Sequence, residues 1–220
     1  MKETGLMFKA PLVRAILSGQ KTQTRRVVKP QPPEDRLHRS VDAPDSFVAE
    51  GEHTWWSGTY TQGIYHSAKC PFGKRGDRIY VRETWCQQAD DDGCLIDNVY
   101  WYRATDPDVM DSEDMEKSPW RPSIHMPKSA ARIWLEVTGV RVERLQDISN
   151  EDAIAEGVNR ISHGREGDYY SAIRNEQHPK NWTYPDDAFR ELWESTGGDW
   201  AANPWVWVID FKRIDRRTTA

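Results

Sequence analysis

Lys21 and Thr24 stand three residues apart in Lys21-Thr22-Gln23-Thr24-Arg25-Arg26, directly after an expected helix stop at Gly19. On an ideal strand the two side chains point to opposite faces; in a turn-like or helical conformation they share a side. A lysine beside a hydroxyl gains chemical interest when it is desolvated, because burial disfavours the ammonium and lowers its pKa. The neutral amine then takes the threonine proton, the logic of the serine–lysine hydrolases. The ordinary alternative is a solvated basic loop. Glu156 is the third candidate. It falls in the last turn of a helix expected over 150–156, just before Gly157, where a carboxylate opposes the helix dipole at a cost of roughly 0.3–1 kcal/mol. An acid in that position suits the holding and delivery of a proton, whereas the bland counterpart is an exposed glutamate tolerated on a short helix.

Other candidates carry weaker signals. Glu83 lies on the expected apolar face of its strand beside Val81 and Trp85, and a buried carboxylate there requires a partner such as Arg82, Arg103 or Arg132. A structural ion pair is the plain reading. Trp85, Trp101, Trp134, Trp205 and Trp207 offer flat surface on which a base could stack, although most alternate with aliphatic neighbours and belong to a core. Arg25, Arg26 and Lys29, with Lys69, Lys74, Arg75, Arg78 and Arg82, form either a phosphate-friendly face or a solvated rim. His66 and Cys70 have a metal-like spacing, but neither Cys86 nor Cys94 completes a CxxC pair, so no metal ligand set is assigned. Walker, GxGxxG, HExxH and GxSxG signatures are absent.

The elements that must position these residues fall into three islands. Ala10-Pro11 opens a short helix with Leu12, Val13, Ile16 and Leu17 on one side, and Gly19 sits where a left-handed cap is expected. A strand is expected after the Gly76-Asp77 turn through Trp85, with Ile79, Val81, Glu83 and Trp85 on one face. Another is expected over 99–104. In the long strand over 132–144 the apolar phase shifts from odd positions (Ile133, Leu135, Val137) to even ones (Val140, Val142), with Gly139 at the slip, as a β-bulge reads. Ser149-Asn150-Glu151-Asp152 is a capping box, and Thr183-Tyr184-Pro185-Asp186 opens a helix burying Phe189, Leu192 and Trp193 before Gly197-Gly198. The last strand, over 205–214, puts Trp205, Trp207, Ile209 and Phe211 on one side. Polar segments at about 29–66, 105–128 and 159–182 read as long loop insertions. The expectation is a single α+β domain over 1–220, a small, partly closed β-barrel with short flanking helices.

The chain has 220 residues, 11 Trp and a formal net charge of −5, which excludes full disorder and nucleic-acid binding by bulk charge alone. The longest apolar run, Trp205 to Ile209, is far short of a membrane span. Three cysteines cannot all pair, and nothing after Met1-Lys2-Glu3 resembles a secretory leader, so a reducing, cytoplasmic setting is expected.

Gly19-Gln20-Lys21-Thr22-Gln23-Thr24-Arg25-Arg26 resembles the G-x-K-T-x-T-x-R signature of ASCH-domain proteins, which are PUA-like β-barrels. Gly76 to Trp85, Val137 to Leu145 with the helix to Glu156, and Val206 to Phe211 resemble that family's later elements in order. The whole is similar to a longer form found in phage and prophage genomes. Compact bacterial members are amidohydrolases that remove the acetyl group from N4-acetylcytidine. Their catalytic Lys and Thr match Lys21 and Thr24. Their catalytic Glu lies eight residues after the hydrophobic residue preceding the helix; counting on from Ile148 reaches Glu156.

The resemblance implies a reaction needing no metal and no cofactor. Lys21 accepts the Thr24 proton, Thr24 attacks the acetyl carbonyl or holds the water that does, and Glu156 protonates the departing amine. Arg26 or backbone N–H groups stabilise the oxyanion, and Glu83, Trp85 and Arg82 join Arg26 as expected substrate contacts. The partner implied is a modified nucleoside, with RNA as a second one, no membrane and an unassigned oligomeric state. Two alternatives stay open: a non-catalytic module binding RNA or a modified base, and a ribonuclease using the same Lys and Glu.

Overall fold

A computed structural model describes residues 1–32, 37–38, 51–59, 62–90, 92–108, 120–162, 167–172 and 181–215. The fold is α+β. Its centre is a five-stranded sheet with the order β1 (Glu3–Met7), β6 (Arg78–Arg82), β9 (Trp134–Arg144), β12 (Trp205–Ile214) and β2 (Gln23–Val27). β1 runs parallel to β6, and the remaining pairs are antiparallel.

β12 lies inside the sheet and is buried on both faces. Trp207, Ile209 and Phe211 join a core with Leu135 and Val137 of β9, Ile79 and Val81 of β6, and Val13 and Ile16 of helix α1 (Ala10–Leu17). Val206 and Val208 face a second core made by α2 (Asn150–Ala155) and α3 (Pro185–Ser195), through Ala153, Ala188, Phe189, Leu192 and Trp193. Alternation along one strand therefore feeds two apolar layers, and helices cover both faces of the sheet.

The helices start and stop where the sequence predicts. Pro lies in the first turns of α1 and α3, the Ser149 hydroxyl accepts from the Asp152 amide, and Gly19, Gly157 and Gly197 follow the helices with positive φ. The expected phase slip is present: Asp210 pairs with Gly139 but Phe211 pairs with Val137, so Thr138 is the extra residue of a β-bulge.

Four expectations need correction. The strand expected through Trp85 breaks after Arg82; β7 (Trp85–Ala89) pairs instead with β8 (Leu95–Tyr102) in a separate sheet. The switch occurs at Glu83, whose amide donates to the Met126 sulfur at 3.2 Å. The strand expected over 99–104 begins earlier, at Leu95, and gives way to a turn at Arg103.

Two insertions contain regular structure. Within 29–66, β3 (Leu37–His38), β4 (Glu52–Thr59) and β5 (Gln62–Lys69) form a three-stranded sheet, β5 running past the expected boundary. Within 159–182, β10 (Asn159–Ser162) pairs with β11 (Asp168–Ser171). In 105–128 the described part has single 3-10 turns and a bridge from Arg121 to Trp85; residues 109–119 lie outside the described residues.

The sheet is an open ladder in which the outer strands β1 and β2 are not paired. The Arg26 guanidinium nevertheless donates to the Met7 carbonyl at 2.8 Å, tying one edge to the other through a side chain. Among the described residues no helix is long and apolar enough to cross a membrane.

Candidate functional site

The turn after α1 lies against the end of α2, and this brings together residues separated by 135 positions. The Lys21 amide donates to the Ala15 carbonyl and the Thr22 amide to the Ala155 carbonyl, both at 2.9 Å. Gln20 Nε2 reaches the Val158 carbonyl at 2.9 Å. Gly157 makes the turn after α2 at φ +104°, a backbone conformation that favours glycine, while a Cβ there would meet Ala15 and Lys21 at ordinary contact distance.

Lys21 and Glu156 consequently form a buried pair. Lys21 Nζ is 2.6 Å from Glu156 Oε2 and 2.7 Å from the Glu156 carbonyl, and the two side chains are 1% and 5% exposed. Burial pushes the Lys21 pKa down, against the opposing pull of the Glu156 carboxylate, and the nearby Arg26 and Arg25 cations lower it further. Glu156 is the C-cap residue of α2, so the expected conflict with the helix end is present; Lys21 and Arg25 offset it.

Thr24 is the second residue of β2 and is buried. Lys21 precedes that strand, outside its alternation, so both side chains reach one cavity instead of opposite faces. The cavity holds about 460 Å³ and is lined by Lys21, Thr24, Arg25, Arg26, Lys29 and Glu156, with apolar walls from Phe72, Phe189, Leu192 and Trp193. Its size falls within the range of about 300–1,000 Å³ usual for small-molecule sites.

Arg25 is the residue whose importance the sequence concealed. Expected in a basic face or rim, it is instead buried among carboxylates. Nη2 contacts Glu143 and lies 2.9 Å from Asp152, while Nη1 lies 3.2 Å from Glu156 and 2.6 Å from Gln23 Oε1. Arg141 extends the network to Asp152, Glu143 and Asp210. Partial burial pushes the Asp152 carboxyl up, but the Gln23 hydrogen bond and the Arg141 and Arg25 cations outweigh it and hold its pKa low. No local pattern marks Arg25, since Gln23, Thr24 and Arg25 are polar in succession and all three are buried.

The four expected substrate contacts divide. Arg26 lines the cavity, with its guanidinium carbon 5.3 Å from the Phe8 ring centroid. Glu83, Trp85 and Arg82 are not among the cavity's lining residues. Glu83 is 1% exposed and takes a two-pronged bond from Arg132, at 2.9 and 3.0 Å, the structural partner expected for a buried carboxylate. Trp85 is buried with Met126, Ala130 and Ala131, and Arg82 donates to the Ile124 carbonyl. They diverge from the cavity because the chain leaves the central sheet at Glu83, which alternation along an unbroken strand cannot anticipate.

Among the described residues no three His, Cys, Asp or Glu side chains are grouped to hold a metal. Burial raises the pKa of both the Cys70 and Cys86 thiols, the direction opposite to that of a thiolate ligand, and the side chain of His66 lies outside the described residues. Comparison with known proteins finds no family model, no curated protein and no solved structure that matches the chain.

Proposed function

We propose that the protein is an amidohydrolase that removes the acetyl group from N4-acetylcytidine or a related acylated cytosine nucleoside, on an ASCH-type, PUA-like fold working in the cytoplasm. The observation that carries the reading is the desolvated Lys21–Glu156 pair at the same cavity as Thr24. The side-chain tie between β1 and β2 supports the barrel-like part of it, and three free cysteines accord with a reducing compartment.

Moving one proton across the 2.6 Å from Lys21 Nζ to Glu156 Oε2 leaves a neutral amine and a carboxylic acid side by side, a base and an acid without net charge in a dry site. The amine takes the Thr24 proton as Oγ bonds to the acetyl carbon. The carbon–nitrogen bond then breaks, Glu156 protonates the departing N4 amine, and cytidine leaves. Water, giving one proton to the Glu156 carboxylate, attacks the threonyl ester; the Lys21 ammonium returns a proton to Oγ, and acetic acid departs and ionises in solvent. Water and the amide are consumed, and the pair is restored. Backbone N–H groups at the cavity wall face the developing oxyanion, a role worth about 2.7–4 kcal/mol where one such donor has been removed. Phe72, Phe189 and Trp193 provide the apolar walls for the pyrimidine.

Incubation with N4-acetylcytidine, followed by the absorbance change to cytidine, tests the reading. Thr24→Val, near in shape, is expected to lower turnover by about 10²–10⁴-fold with an unchanged melting temperature, and Lys21→Met to do at least as much. Wild-type protein that releases no cytidine yet retards RNA in a salt-dependent manner favours the binding module instead.

A further inference from the structure

The cavity carries more positive charge than its own chemistry consumes. Of the four cations lining it, Lys21 is satisfied by Glu156, and Arg25 by Glu143, Asp152 and Glu156. Arg26 and Lys29 also line it, and neither has a carboxylate within ion-pair distance among the described residues. Arg26 spends one N–H on the Met7 carbonyl and feels Glu156 only at longer range. Lys29 is exposed. Lys2 Nζ donates to the carbonyl of Pro71, itself a lining residue, at 2.7 Å.

We infer that the Lys29–Arg26 side of the cavity is a phosphate subsite, and that the chain takes its acylated cytosine substrate as the 5′-mononucleotide. The inference rests on the deacetylase reading for the base, while the subsite itself rests on charge. A phosphate supplies the acceptor oxygens and negative charge that the two cations lack, and the guanidinium can meet it through paired N–H groups. One nucleotide suits the enclosed volume of about 460 Å³, with its base toward the aromatic walls and its phosphate toward the mouth where Lys29 is exposed. A long polyanion is disfavoured by the net charge of −5 on the whole chain.

Calorimetric titration of the full chain with cytidine 5′-monophosphate and with cytidine tests this. The nucleotide is expected to bind at least about tenfold more tightly, the gap narrowing as salt is raised. Lys29→Gln should shrink the ratio and Lys29→Glu should abolish it, with melting temperatures unchanged because the side chain is exposed. Equal affinities for the two ligands, or a ratio indifferent to Lys29→Glu, overturn the inference. So does a single-stranded oligocytidylate that binds more tightly than the mononucleotide. Assays on N4-acetylcytidine and its 5′-phosphate keep the two readings apart. Phosphate-dependent binding with no acetate released from either overturns the hydrolase and leaves the subsite. Deacetylation at the same kcat/KM for both does the reverse.

Discussion

Arg25 has no exposed side-chain surface and meets Glu143, Asp152 and Glu156 at once. Its guanidinium holds the Glu156 carboxylate from the side opposite Lys21, since Nη1 contacts Oε1 while Nζ contacts Oε2. Such a fork orients the acid and keeps neighbouring negative charge from accumulating around it. Removing one partner of a buried charge cluster costs roughly 3–5 kcal/mol, because the carboxylates left behind keep their desolvation cost. Arg25→Met is therefore expected to lower the unfolding free energy by about that amount in urea titrations. Arg25→Lys, which restores charge without the fork, should recover only part of it. An Arg25→Met protein as stable as wild type would show that the carboxylates repartner elsewhere, and would remove Arg25 from the account of the site.

Among the elements, the meeting of α1 and α2 decides whether there is a site at all. Gly157 has φ +104° and sits between Ala15 and Lys21. An alanine there carries a left-handed backbone penalty of roughly 1–2 kcal/mol, while its methyl would meet both neighbours at ordinary contact distance. Gly157→Ala is expected to lose that stability in thermal unfolding, and a variant melting with wild type would contradict it. α1, α2, α3 and β12 were legible because each joins a terminator or cap to an unbroken apolar period. The β4–β5 hairpin was not. Its segment, Glu-His-Thr-Trp-Trp-Ser-Gly-Thr, has almost no aliphatics and follows four prolines, so its aromatic and β-branched strand formers were read as part of a loop. The break between β6 and β7 was hidden for another reason: Ile79, Val81, Glu83 and Trp85 are all buried as alternation requires, but Glu83 is paired with Arg132 and Trp85 is buried in a different core.

At the scale of the whole molecule, charge linkage predicts how the fold fails in acid. Partial burial pushes the Asp77 carboxyl up, but the backbone N–H groups of Lys2 and Lys74 outweigh it and hold its pKa below the ordinary value of 3.8. The unfolded chain then takes up the proton first. The stability that Asp77 contributes is complete above the ordinary value and is lost as pH falls from there through the lower folded value. Asp152 acts in the same direction. Glu83, raised by burial despite Arg132, has the opposite slope, so the comparison is made between wild type and variant at each pH. Asp77→Asn should be less stable by roughly 1.5–3 kcal/mol near neutrality and converge on wild type in acid, measured by urea unfolding across the pH range. A constant difference down to the most acid point would contradict the linkage.

Local patterns in the chain already determined the helix limits, the β-bulge beside Gly139, one apolar face of β12, and a short list containing Lys21, Thr24 and Glu156. All of these follow from interactions within a few residues: caps, periodicity and turn chemistry. Tertiary structure alone decided that Lys21 meets Glu156, that Arg25 is buried among carboxylates, that Glu83 pairs with Arg132 and that Trp85 belongs to another core. Those outcomes depend on contacts far apart along the chain, 49 positions for Glu83 with Arg132 and 135 for Lys21 with Glu156, where burial sets which charges must pair and no local period records the partner.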